Sequence, residues 1–142
     1  MRFVYQARFE PADGEILVTV PDVPMVATFG KDEADAVAST ADALATALLH
    51  HAKRGEPIPL PTTGAGPGLR PVALDLADAL KLSVILAYRE SGLSKTEFAA
   101  RLGRVNSEAH RILDPDHATK LATLQAALAV LGRRAVLEVE AA

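Results

Sequence analysis

Asn106, Ser107, His110 and Arg111 stand close together in the last third of the sequence, and their side chains are of the kind that read base edges. An amide offers a donor and an acceptor side by side, as the edge of adenine requires, and a guanidinium fork matches guanine. Lys95, Arg104, Thr119 and Lys120 flank them and suit phosphate oxygens, which set register and not sequence. Each assignment has a plainer counterpart. Arg111 could cap or salt-bridge beside Ile112, and His110 could simply face solvent. Glu108, repelled by phosphate, could accept from a cytosine amine or pair with Arg104 or Arg111. His117 fits a turn-stabilising or phosphate-facing role, or that of a loop residue.

Such side chains need elements that present them together. Ser94 and Glu97 form a capping box that starts a helix at Lys95. Phe98, Ala99 and Leu102 give that helix one apolar face, and Gly103 can take the left-handed conformation that ends it. A second helix starts near Asn106 or Ser107. Its Ala109, Ile112 and Leu113 turn inward, leaving Ser107, Glu108, His110 and Arg111 outside. This is a helix-turn-helix pattern, whose second helix keeps a polar face for a major groove. A short helical hairpin in a bundle shows the same rhythm. The excess of Lys95, Arg101, Arg104, Arg111, Lys120, Arg133 and Arg134 over acids in this region favours DNA.

Other chemistries find little support. With no Cys, the chain has no disulfide, thiolate metal site or thiol nucleophile. His50 and His51 are adjacent and so point apart from a helix, which argues against a shared metal ion. Two-metal nuclease chemistry needs converging carboxylates. Asp13 and Asp22 fall in turns; Asp32, Glu33 and Asp35 read as a helix cap and its first turn; only Glu15 is placed on a strand. No enzyme, metal or cofactor is expected. The net charge of −3 excludes a chain coated all round by nucleic acid. Acids dominate the front (Glu10, Asp13, Glu15, Asp22, Asp32, Glu33, Asp35, Asp42, Glu56) and bases the back, which suggests two jobs in two halves. No signal peptide pattern and no bilayer-length apolar run is present, so a cytoplasmic protein without a membrane partner is expected.

The elements imply an α+β chain. Phe3, Tyr5, Ala7 and Phe9 alternate on one face of a strand, Pro11-Ala12-Asp13-Gly14 is a hairpin turn, and Glu15 to Val20 returns. Pro21-Asp22-Val23-Pro24 breaks it, and Met25 to Phe29 is a third strand. Asp32 caps a helix running to Arg54, with Val37, Ala41, Leu44 and Leu48 as its stripe. The Pro- and Gly-rich run from Glu56 to Gly68 marks a division into an α/β domain over 1–61, a linker over 62–70 and a helical DNA-binding and dimerisation domain over 71–142. Val72 to Leu74 could add an edge strand, given Pro71, to the first domain. The helix from Asp75 to Ser91 is apolar on more than one face, to be covered by its own domain or a second subunit. Thr119 ends a turn as the cap of a last helix carrying Leu121, Leu124, Leu128 and Leu131. Arg133 to Glu140 then alternates like a strand. Lacking a partner in its domain, it suits pairing with a second copy, which would supply two reading helices for a palindromic operator.

The sequence resembles the HicB family of antitoxins, in the variant with a helix-turn-helix tail. The likeness rests on Met1 to Val20, Pro21-Asp22-Val23-Pro24, Thr28-Phe29-Gly30 and Ile58-Pro59-Leu60-Pro61 in the front half. In the back half it rests on Phe98-Ala99-Ala100-Arg101-Leu102-Gly103, Asp116-His117-Ala118-Thr119-Lys120-Leu121 and Leu131-Gly132-Arg133-Arg134. It departs from the usual family pattern at Met25-Val26 and Glu15-Ile16. The resemblance implies a degenerate RNase H-like first domain that masks a small HicA-type mRNA-cleaving toxin. It implies a second domain that dimerises, or forms a higher homo-oligomer, and represses its own operon by binding operator DNA. The competing reading is a stand-alone helix-turn-helix regulator whose first domain senses a small molecule or binds another protein.

Overall fold

A computed structural model describes residues 1–141, which divide into two compact units, Met1–Ala79 and the residues from Leu80 onward. In the first, β1 (Val4–Ala12) and β2 (Glu15–Thr19) form an antiparallel hairpin. Asp13 and Gly14 connect them with φ of 49° and 81°. Positive φ at both central positions is what a two-residue turn needs to match the strands' twist. β3 (Ala27–Gly30) pairs with β2, and β4 (Leu69–Ala73) pairs with β1, giving the order β3-β2-β1-β4. Pro71 accordingly lies on an outer strand, where a missing N–H does no harm.

Helix α1 (Glu33–Lys53) covers the face formed by Phe3, Tyr5, Ala7, Val18, Val20 and Val72. Asp32 caps it, accepting from Asp35 N at 2.8 Å. The apolar stripe is offset from the expected one. Ala36, Thr40, Leu44 and Leu48 are fully buried, while Val37 and Ala41 are only half-buried. The cause is a close approach at the helix start, where a Cβ on Gly30 would lie 2.3 Å from Ala36 N. Only a small side chain fits there, and Thr40 is tolerated one turn on because its hydroxyl donates to Ala36 O at 2.6 Å. Phe9, expected inward, is half-buried, with the Arg70 guanidinium 4.8 Å above its ring.

The expected linker over 62–70 is part of this first unit. The Asp22 carboxylate accepts from the backbone N–H and hydroxyl groups of both Thr62 and Thr63, at 2.8 to 3.3 Å. Burial works against that carboxylate's charge, but the threonine N–H and O–H groups outweigh it and hold Asp22 below the usual carboxylate range. Tyr5 donates to Pro59 O at 2.7 Å, and Leu69 and Arg70 pair with β1. The run is tied down because its backbone groups have partners on the sheet. The chain divides later, between Ala79 and Leu80 inside α2 (Leu76–Ser91), and not at residue 71.

In the second unit α2 is joined by α3 (Lys95–Leu102), α4 (Asn106–Leu113) and α5 (Leu121–Val130). Ser94 caps α3, accepting from Glu97 N at 3.1 Å, and Gly103 closes it with φ of 66°. Phe98 and Ala99 of α3 meet Ala109 and Ile112 of α4, Leu80, Val84 and Ala87 of α2, and Leu124, Ala127 and Leu128 of α5. The Tyr88 ring packs 5.3 Å from that of Phe98. Two expectations need correction. The cap of α5 is Lys120, not Thr119, whose hydroxyl is engaged elsewhere. Residues 133–141 are not a strand, and Val136, Leu137 and Val139 are exposed. A strand is defined by hydrogen bonds to a neighbour, and alternation alone supplies none.

Replacing Gly30 with Ala should lower the unfolding free energy by about 1–3 kcal/mol, the cost of overpacking a tight contact. Urea denaturation followed by circular dichroism would measure it, and an unchanged midpoint would refute the close approach.

Candidate nucleic-acid interface

The sequence places Phe98, Ala99, Ala109 and Ile112 so that α3 and α4 bury one side each and leave the other to water. Asn106, Ser107, His110 and Arg111 are exposed on α4, and Lys95 and Arg104 are exposed beside them. The connection spans only Gly103, Arg104 and Val105, and Gly103 N–H is bonded back to the last turn of α3. Val105, which the sequence reading passed over, caps α4 without any side-chain hydrogen bond and is itself exposed. The leading N–H groups of α4 therefore lack a side-chain acceptor from their cap, and a helix N-terminus in that condition favours an anion.

Several candidates already have side-chain partners. Lys95 Nζ lies 3.2 Å from His110 Nδ1, which accepts from the ammonium and so joins the start of α3 to α4. Asn106 Nδ2 donates to Thr96 Oγ1 at 3.5 Å, and Arg104 pairs with Glu108 at 3.2 Å. All of these contacts are at the surface, where such pairs contribute little and exchange readily for a ligand. Ser107, Arg111 and Lys120 are exposed and make no side-chain hydrogen bond or ion pair among the described residues. The Arg111 guanidinium thus neither caps nor salt-bridges.

Thr119 is differently placed from the other candidates. It is half-buried, and its hydroxyl accepts from Lys81 Nζ at 2.7 Å. The same ammonium donates to Ile112 O at 2.8 Å and Arg111 O at 3.2 Å, the last carbonyls of α4. Lys81 is 5 % exposed, a buried charge on the inner side of α2. Burial pushes it down from an ordinary 10.5 to about 8, against the opposing pull of the Asp114 carboxylate. His117 Nδ1 sits 3.3 Å from the same threonine hydroxyl, and its N–H donates to Asp114 O, so it belongs to the turn. Local sequence does not single out Lys81, which lies within an otherwise apolar helix. The signal available was its charge between Leu80 and Leu82, where a helix greasy on several sides has no obvious room for an ammonium.

The first unit presents a different surface. Met25 and Phe29 are exposed. Met25, Val26 and Ala27 line an open hollow of about 380 Å³ together with Ala43, Thr46, Ala47 and His50 of α1. Asp42, Asp75 and Asp78 lie near one another, and Asp78 is raised first by burial and then by the charges of Asp75 and Asp42. His51 bonds Glu56 at 3.1 Å and so does not join His50. Among the described residues no group of three or more His, Asp or Glu could hold a metal ion, and no helix is long and apolar enough to cross a membrane.

A family model described as the HicB-like antitoxin of bacterial toxin–antitoxin systems matches residues 3–83. The chain is 33% identical to Antitoxin HicB 1 of Photorhabdus laumondii subsp. laumondii over 138 residues, covering 96% of this chain and 86% of that one. It is 31% identical to Antitoxin HicB of Escherichia coli K12 over 130 residues, covering 91% and 94%. To Antitoxin HicB of Pseudomonas fluorescens it is 30% identical over 140 residues, covering 99% and 96%.

The depressed Lys81 has a signed consequence for stability. Below about pH 8 the folded and unfolded chains both carry the charge, and the burial penalty stands in full. Between that value and 10.5 the unfolded chain binds more protons, so the contribution of Lys81 to unfolding free energy should rise with pH. Chemical denaturation at several pH values from 8 to 10 isolates it, because Tyr5 is raised to about 12 from an ordinary 10.0. The stability of the wild-type chain relative to Lys81→Met should climb across that window; a constant difference would contradict the burial.

Proposed function

The chain belongs to the HicB-like antitoxin family, and from that premise we propose that it neutralises a small HicA-type mRNA-cleaving toxin and represses its own operon as a dimer. The observation that carries the second activity is the outward, polar face of α4. Asn106, Ser107, His110 and Arg111 share it, and the Arg111 guanidinium has no partner among the described residues to give up. In this reading α3 and α4 are the two helices of a helix-turn-helix, with α4 in the major groove. Asn106 and Arg111 read bases, and Ser107 and His110 assist. Lys95, Arg104 and Lys120 hold phosphates, with the N-terminus of α4 beside them. Thr119, first assigned to phosphate, acts here through the turn it stabilises, since its hydroxyl is held by Lys81.

The first unit, read as a reduced RNase H-like domain, takes the toxin. Its Asp78 carboxylate, half-buried, also feels the charges of Asp75 and Asp42, a repulsion that a basic partner would relieve. The exposed Met25 and Phe29 add apolar contact. The hollow beside Met25 is open on one side and suits a partner's side chain better than an enclosed small ligand, which weighs against the sensor alternative. Dimerisation through residues 133–140 would cover the exposed Val136, Leu137 and Val139.

Gel shift with the duplex upstream of the chain's own reading frame, and co-purification with the product of the adjacent gene, test the two halves separately. Arg111→Ala and Asn106→Ala should each weaken discrimination of the operator by about 1–3 kcal/mol while leaving toxin capture intact. Retention of full operator affinity by both variants would dismiss α4 as the reading helix.

A further inference from the structure

The contact least expected from the function is the one made by Lys81. It stands on α2, in the interior of the second unit, with no path to a nucleic acid. Its three donor hydrogens meet three acceptors: Arg111 O, Ile112 O and Thr119 Oγ1. Two of these are carbonyls of the last turn of α4, where a helix runs out of its own N–H donors; Arg111 O also accepts from the cap residue Asp114 N–H at 3.2 Å. The third stands directly before Lys120, the cap of α5. A single ammonium thus joins α2 to the end of α4 and to the turn that leads into α5.

We propose that Lys81 is the positioning residue of the reading helix, clamping the C-terminal turn of α4 at the angle from which Arg111 and Asn106 meet base edges together. The inference rests on the DNA-reading role of α4. The apolar contacts of α4 come from Ala109 and Ile112, with Leu113 packed at the edge. Such contacts hold a short helix against the core but leave rotation about the contact weakly defined, because dispersion is not directional. Hydrogen bonds are directional, and those to a charged donor are the stronger kind. Arg111 is the residue most affected, since its carbonyl is held by Lys81 while its side chain projects outward from the same backbone. Asp114 and His117 complete the surroundings. The first lends the ammonium an opposing charge and the second contacts Thr119, so the clamp and the Asp114–Thr119 turn are one unit.

A positioning role differs measurably from a phosphate contact and from mere support of the fold. The full-length Lys81→Met chain keeps most of the apolar stem of the side chain and removes the ammonium, with its charge and its donors. It is compared with wild type by titrating two duplexes, the upstream operon DNA and an unrelated sequence of equal length, across a range of salt. The expected result is at least a tenfold loss of affinity for the operon duplex. Affinity for the unrelated duplex and the slope of affinity against salt should stay unchanged, because no phosphate contact has been lost. Thr119→Val, which removes one acceptor, should lose discrimination in the same direction and to a smaller extent. Should Lys81→Met prove unfolded by circular dichroism, the threonine variant carries the test alone. Equal discrimination by wild type and both folded variants overturns the proposal and leaves the DNA reading standing. So does a parallel loss on both duplexes with a shallower salt slope. A wild-type chain that retards neither duplex at low salt overturns the DNA reading and the proposal with it.

Discussion

An ammonium removed from water has to recover nearly all of its hydration from fixed acceptors, or the fold that buries it is lost. Lys81 recovers it from two helix-terminal carbonyls and one hydroxyl. The need is reciprocal, because the last carbonyls of a helix are themselves without partners. α4 ends where Lys81 can reach it, and the turn from Asp114 to Thr119 folds so that a hydroxyl completes the set. Satisfying that one charge ties α2 to the end of α4 and to the turn that leads into α5. Charge left uncompensated there would cost more than the loss of any single apolar contact around Phe98.

The rest of the packing is built on small side chains. The chain has 49% hydrophobic residues but only 4% aromatic, so its cores are made by bringing backbones close together and not by filling wide gaps. Gly30 against Ala36 sets the approach of α1 to the sheet, and Ala99 and Ala109 permit the approach of α3 to α4. Close packing of this sort leaves little space for relaxation, which makes added methyl groups more damaging than their size suggests. It also means that direction has to come from hydrogen bonds: Asp22 with Thr62 and Thr63 in the first unit, Lys81 with Thr119 in the second.

These two clasps bear on function in different ways. Asp22 holds the Pro- and Gly-rich run against the sheet and leads the chain back to β4, so that the first unit closes before the helical unit begins. Lys81 bonds the C-terminal turn of α4, the helix whose exposed polar face the proposed function assigns to DNA. Within the second unit, the surface pairs Lys95 with His110, Asn106 with Thr96, and Arg104 with Glu108 tie the polar face of α4 to its neighbours without committing it. Weak exposed pairs of this type can be traded for phosphates or bases at small cost.

Local chemistry settled much of this chain in advance. Asp13-Gly14 dictates the hairpin, Asp32 and Ser94 start their helices, Gly103 stops α3, and the amphipathic rhythm of Asn106 to Leu113 determines which side chains face outward. The family likeness, too, was carried by short runs such as Thr28-Phe29-Gly30 and His117-Ala118-Thr119-Lys120. Features whose cause lies in distant residues were not legible. The Pro- and Gly-rich run reads as a linker until Asp22, some 40 residues away, is seen to hold it. The offset of the α1 stripe needs the contact of Gly30 with Ala36, and the alternation of residues 133–140 names no strand partner. Thr119 looked like a cap and a phosphate ligand because nothing near it in sequence shows a lysine 38 positions earlier. Periodicity and capping act over a few residues, so sequence decides them. Which acceptor a buried charge finds depends on where the whole chain brings its helix ends, and only the tertiary structure decides that.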